Sequence, residues 1–187
     1  MSAAAELAVR VRALEAPGAG AVIVAVEGRP GAGKTTFGDA LAAELDAVHI
    51  DLENLYPGWD GLDEGARLAA GELVAPAAAG EIAVVPQWDW VAMRPAEPLV
   101  VEPPEFLVLS GTGSGSLAAA PHLTLVAWME LGEAERRRRA LERDGETFAP
   151  HWEQWGTQVE AYLERERTRE RADVVLDTSG PEPVLCG

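Results

Sequence analysis

Gly28-Arg29-Pro30-Gly31-Ala32-Gly33-Lys34-Thr35-Thr36 fits the pattern G-x-x-x-x-G-K-[ST] at every fixed position. Upstream, Ala21-Val22-Ile23-Val24-Ala25-Val26 is a continuous apolar run suited to a strand buried on both faces, and downstream Phe37 to Leu45 reads as a helix. A strand, a glycine-rich turn and a helix in that order let consecutive backbone N–H groups point into one concavity, which the positive end of the helix makes a cradle for phosphate. Lys34 would reach the β- and γ-phosphates of a nucleotide, and the Thr35 hydroxyl would ligate Mg²⁺. Gly28, Gly31, Ala32, Gly33 and Thr36 would supply the remaining backbone of the cradle. Lys34 is the only lysine among 15 basic residues. A chain that otherwise uses arginine keeps a compact, rotatable ammonium at the one place where a planar guanidinium suits a phosphate nest poorly.

At 187 residues and 48% hydrophobic, the chain has the length and apolar content for a single domain with a sizeable core. With 31 acidic residues against 15 basic ones, its net charge of −16 repels nucleic acid and anionic membrane surfaces. An anionic nucleotide must therefore be held locally, by the loop, by Mg²⁺ and by arginines. Cys186 is the only cysteine, which excludes an intrachain disulfide and a thiolate metal cage and suits a reducing, cytoplasmic setting. The N-terminal stretch carries Glu6 and Glu15 and lacks the uninterrupted apolar region of a signal peptide, and no later stretch reaches the length of a membrane span.

Around the loop, Leu7, Val11 and Leu14 suggest an amphipathic packing helix within residues 1–18, broken by Pro17 to Gly20. Further buried strands are expected at 47–52, 106–109, 123–129 and 173–177. The fold class is thus α/β, a phosphate-loop NTPase fold with a parallel sheet of about five strands flanked by helices, in one domain over 19–178 with a loose tail at 179–187. Residues at the carboxyl ends of such strands lie beside the ligand. Asp51 and Glu53 are therefore both candidates for the general base toward an acceptor hydroxyl or for a partner of the metal, and Tyr56 and Trp59 follow in the same segment. Residues 62–80 read as a helix. Prolines at 86, 95, 98, 103 and 104 divide the next segment into short extended pieces, in which Trp88-Asp89-Trp90 with Arg94 offers an aromatic pocket with one directional acceptor, or else core tryptophans. The small residues from Ser110 to Ser116 allow either close approach to a ligand or a tight turn. Arg136 to Arg139 spread around their helix at about 100° per residue, so only one or two of them, together with Arg143, can face one ligand. Ala149 to Arg171 reads as one longer helix whose apolar stripe is Trp152, Trp155, Val159 and Leu163.

Taken together, the loop, Glu53-Asn54-Leu55-Tyr56-Pro57-Gly58-Trp59-Asp60-Gly61-Leu62, Trp88-Asp89-Trp90 with Arg94, Arg139 to Asp144, and Arg169-Glu170-Arg171-Ala172-Asp173 resemble the uridine kinase-like branch of P-loop nucleoside and small-molecule kinases. The resemblance spans about residues 21–177. It implies an ATP- and Mg²⁺-dependent phosphotransferase acting on a hydroxyl of a nucleoside or similar small polar molecule. It implies Glu53 as base, Trp88-Asp89-Trp90 against the acceptor, and Arg139 and Arg143 as lid arginines on the nucleotide. The chain departs from that family in having Glu rather than Asp at the base position, and Ser110-Gly111 where such kinases often carry Glu-Gly. An ATP-binding NTPase or regulatory module, or a kinase with little turnover, is the alternative.

Overall fold

The computed structural model describes residues 1–186, with Asp144 through its backbone alone. The chain opens with α1 (Ala3–Arg12), capped by the Ser2 hydroxyl, which accepts from the Ala5 amide at 3.2 Å. Strand β1 (Val22–Gly28) leads through the glycine loop into α2 (Lys34–Leu45) and β2 (Val48–Asp51). A helical run follows, made of α3 (Leu62–Leu68), a π-helical turn (Ala69–Val74) and α4 (Ala75–Ala79). The wide turn immediately precedes Pro76, whose ring would otherwise strike the carbonyl four residues back, and the Ala75 amide accordingly donates to Ala70.

Strands β3 (Ala83–Asp89) and β4 (Arg94–Val101) form an antiparallel hairpin apart from the main sheet. The expected short extended pieces therefore pair with each other, and the register slips between Val85 and Gln87, where Pro86 has no amide to donate. After β5 (Phe106–Ser110) and β6 (Leu125–Glu130) come α5 (Glu133–Phe148), α6 (Trp152–Glu166), α7 (Thr168–Arg171), β7 (Val174–Asp177) and β8 (Val184–Cys186). The expected single helix over 149–171 is broken at Arg167, which takes a left-handed conformation (φ 49°) and closes α6 by donating its amide to Leu163.

The main sheet has the order β2-β5-β1-β6-β7-β8, parallel except for the antiparallel edge strand β8. Within the expected loose tail, then, Val184–Cys186 pairs with β7; Gly187 lies outside the described residues. Alternation along β1 explains why it is apolar from Val22 to Val26. Ile23 and Ala25 face a core built with α3, α4 and α6, while Val24 and Val26 face a second core built with α1 and α2. Leu107 and Leu109 join the first core and Val108 the second, so the central strands are covered on both sides and their carboxyl ends form one rim. No helix among the described residues is long and apolar enough to cross a membrane.

Gly20 lies under the turn after α4, where its amide donates to Ala78 at 2.9 Å and an added Cβ would stand 2.1 Å from the Ala77 carbonyl oxygen. Because the obstacle is backbone, Gly20→Ala should destabilise the fold by roughly 1–3 kcal/mol. Gly71, exposed on the helical run with nothing within 4 Å of a new Cβ, should respond oppositely: Gly71→Ala should gain about 0.5–1 kcal/mol. Urea unfolding of both variants checks the pair of signs.

Candidate active site

The loop after β1 owes its shape to its glycines. Gly31 and Gly33 take φ of 80° and 91°, which side chains disfavour, and a Cβ on Gly31 would lie 2.1 Å from the Arg136 carbonyl oxygen. Gly33 faces open space and opens α2, whose first-turn amides have no carbonyl partner within the helix. Lys34 folds back over this concavity, donating from Nζ to the Arg29 carbonyl at 2.9 Å. Burial lowers the Lys34 pKa, and Glu27, Glu53 and Asp51 oppose that shift.

Beneath the loop is a residue that the sequence reading passed over as the end of an apolar strand. Glu27 is fully buried, and its carboxylate accepts from the amides of Gly28 at 3.1 Å, Gly113 at 2.9 Å and Gly115 at 3.0 Å. Tyr162 of α6 brings its hydroxyl to 3.4 Å of the same carboxylate. The small-residue stretch after β5 is thus a turn wrapped around a carboxylate. Thr112 in that turn donates its hydroxyl to the Gly28 carbonyl at 2.8 Å and accepts at its own carbonyl from the Tyr56 hydroxyl at 2.7 Å. A lone carboxylate closing an apolar strand just before the loop's first glycine was the available signal.

One cavity of about 900 Å³ runs along the rim, lined by Gly31 to Phe37, Asp51, Glu53, Tyr56, Trp59, Trp90, Gly111, Thr112, Arg139 and Arg143. The structure therefore brings together most of the expected site residues. The two acidic candidates have different partners. Asp51 accepts from the Thr35 hydroxyl at 2.7 Å, whereas the Glu53 carboxylate lies 3.1 Å from the Arg143 guanidinium. Thr35 and Asp51 suit Mg²⁺, which keeps several waters and needs only one or two carboxylates beside substrate phosphates. The described residues contain no dedicated cluster of three or more His, Cys, Asp or Glu ligands.

Gly28, Trp88, Asp89 and Arg94 do not line the cavity. Gly28 is needed for close packing, because a Cβ there would meet the Met129 carbonyl oxygen at 2.8 Å. Asp89 caps the hairpin turn, accepting from the amides of Val91 and Ala92 at 2.9 Å each, and those bonds hold its pKa down. Arg94 pairs opposite it at the hairpin end, and Trp88 lies beside Gly58 with its indole N–H buried. Of the Trp-Asp-Trp segment only Trp90 reaches the cavity, where its Nε1 donates to the Glu53 carbonyl at 2.7 Å.

An aromatic wall completes this end. Trp59 packs on Trp90 at 4.7 Å and lies parallel to Phe148 at 5.6 Å, while Tyr56 meets Trp155 at 4.9 Å. Phe148, not singled out beforehand, joins the wall because α5 turns at Gly145 (φ 53°, ψ −131°). The arginines of α5 divide as the 100° rotation requires. Arg136 is buried and donates to the Leu131 carbonyl, Arg138 pairs outward with Glu135 and Glu142, and Arg139 turns back to donate to the Thr178 carbonyl at 3.1 Å. Ser110 is buried beside the site, with its hydroxyl 2.9 Å from His49 Nε2; His49 Nδ1 lies 2.7 Å from Asp39.

The fold is that of known P-loop kinases. A possible uridine kinase from Bacillus stearothermophilus aligns over 92% of this chain and 96% of its own, with a TM-score of 0.65 at 16% sequence identity. A candidate fructose transport system kinase from Silicibacter sp. TM1040 aligns over the same shares with a TM-score of 0.57 at 18% identity. A gluconokinase from Sinorhizobium meliloti 1021 covers 88% of this chain and 86% of its own, with a TM-score of 0.50 at 18% identity. No protein-family model and no curated protein matches the sequence.

Burial pushes the Glu27 carboxyl up to about 7, against the Gly115 and Gly28 amides, the Lys34 charge and the Gly113 amide, all of which lower it. Native Glu27 then binds more protons than the unfolded chain between pH 4.5 and about 7, so its contribution to stability falls as pH rises through that window. The total is roughly 3 kcal/mol. Denaturant unfolding of the wild type and Glu27→Gln across the window should show the wild type losing that much relative to the variant, and a flat difference would mean a carboxylate ionised throughout.

Proposed function

We propose that the protein is an ATP- and Mg²⁺-dependent kinase that transfers the γ-phosphoryl group to a hydroxyl of a nucleoside or similar small ring compound. The observation that carries this reading is the continuity of the cavity: one space joins the glycine loop at Gly31 to Thr36 to the Asp51/Glu53 pair and the aromatic wall. A nucleotide switch needs the first of these and has no use for the rest. The kinase fold of the structural neighbours agrees with it.

In this reading the loop amides and Lys34 bind the phosphates, and Mg²⁺ supplies charge neutralisation from the Thr35 end when bound. Asp51, bonded to Thr35 at 2.7 Å, stands on the metal side and makes good the carboxylate absent at Ser110. Glu53 takes the acceptor proton. Its pairing with Arg143 at 3.1 Å holds it at the acceptor end until an acceptor competes for that guanidinium. Trp59, Trp90 and Trp155 exclude water around the acceptor, whose ring would lie against them. Arg143, beside Glu53, contributes charge toward the transferring group, so that positioning and electrostatics account for most of the catalysis.

ADP release from Mg-ATP by the purified protein should depend on an acceptor drawn from a panel of nucleosides and small ring alcohols; release independent of every acceptor would favour an NTPase instead. With the acceptor found, Lys34→Ala should lower kcat about 100- to 1,000-fold, and unaltered turnover would remove the loop from the mechanism. Glu53→Gln should lower kcat about 100-fold or more with nucleotide affinity retained. Asp51→Asn should instead raise the Mg²⁺ concentration needed for half-maximal rate. The opposite pattern for these two variants would exchange the roles of the two carboxylates.

A further inference from the structure

The cavity extends beyond the phosphate loop. Along the face of α2 past Thr36, its walls include Ser2, Ala3 and Ala4 of α1, Ala40 of α2, and Pro181 and Pro183 on the chain leading to β8. These walls are small and apolar and would not hold a phosphate. The guanidinium of Arg139, which also lines the cavity, is fixed by Glu135 at 2.8 Å and by the Thr178 carbonyl at 3.1 Å, so its plane is set before any ligand arrives. Methyl groups, proline rings and a fixed guanidinium lining one cavity suit one ligand shape, a flat heteroaromatic ring.

We propose that the first turn of α1 is a wall of the subsite for the nucleotide's base, which makes the N-terminal helix an element of nucleotide recognition as well as of packing. The proposal rests on the nucleotide-binding reading above and deepens it. The helix is anchored as a wall needs to be. Leu7, Ala8 and Val11 are buried in one core with Leu41 and Leu45 of α2, and Arg12 donates to the Glu44 carbonyl at the far end. The Ser2 cap fixes the near end. Ala4 is buried in that core and Ala3 packs against it, so the first turn gives the cavity only small side chains as a wall. A larger side chain at position 3 would take up space in the cavity.

The test is a chemical footprint with a minimal substitution. Cys186 is exposed and is the only cysteine, so Cys186→Ser gives a thiol-free background in which Ala3→Cys places one reporter at the wall. Saturating Mg-ADP should slow iodoacetamide alkylation of that thiol by about fivefold or more, and saturating tripolyphosphate, which has no base, by less than about twofold. Equal rates with the two ligands, each shown by calorimetry to bind, would overturn the wall assignment and leave the phosphate loop intact. If calorimetry detects neither ligand on the wild type, the nucleotide reading fails, and this proposal fails with it. As an independent arm, Ala3→Leu should weaken ADP about tenfold while tripolyphosphate affinity stays within about twofold; unchanged ADP affinity would overturn the proposal by the same logic.

Discussion

Everything at the rim of the sheet depends on one buried carboxylate being solvated by backbone. Glu27 has lost all contact with water, and an unpaired charge there would cost several kcal/mol. Its oxygens are instead satisfied by the amides of Gly28, Gly113 and Gly115. Those amides reach it only because the segment after β5 is made of small residues, with Gly113 at φ 106° and its missing Cβ 3.0 Å from that of Ala66. The same segment supplies the Thr112 hydroxyl that holds the Gly28 carbonyl, so the glycine loop is braced from below by the chain that also fixes Tyr56. Charge, turn geometry and the floor of the cavity are thus one arrangement.

The loop is also held from above, through arginines. Arg29 makes a two-pronged bond to Glu160 of α6, at 2.9 Å for each prong, and lies over the Trp128 ring. Arg136 packs its carbonyl against Gly31, while Arg139 reaches Thr178, whose hydroxyl lies 3.2 Å from the Ala32 carbonyl. α5 therefore touches the loop at two points and reaches Glu53 through Arg143. Any movement of this helix would therefore be felt at the loop and at Glu53 together.

The polar seam of Asp39, His49 and Ser110 has an evident structural purpose. His49 and Asp51 are two residues apart on β2 and so share a face, the one turned to α2. One bridges Asp39 to Ser110, and the other takes the Thr35 hydroxyl. Gly38 makes room for this, since a Cβ there would stand 2.5 Å from His49 Nε2. β5, which ends in Ser110, thus leaves the Thr35 hydroxyl to its neighbour in the sheet, Asp51.

The sequence by itself determined the phosphate loop, the five parallel strands and the covering helices. Apolar runs, one glycine-rich pattern and helical spacing are local signals, and they survive without knowledge of what packs where. It also marked Asp51, Glu53, Tyr56 and Trp59 at and beyond the carboxyl end of β2, Arg139 and Arg143 on one helix, and Trp90 in the segment read as an aromatic pocket, and all of these line the cavity. Only the tertiary structure decided that Asp51 takes Thr35 while Glu53 takes Arg143, since the two lie only two positions apart in sequence and differ in direction. Only it turned Asp89 inward to its own hairpin amides, brought Phe148 and the first turn of α1 to the cavity, and paired Val184–Cys186 with the sheet edge. Glu27 shows the reason most plainly. A carboxylate in an apolar strand carries no local preference that reveals its partners, and two of the three amides that stabilise it come from more than 80 residues away.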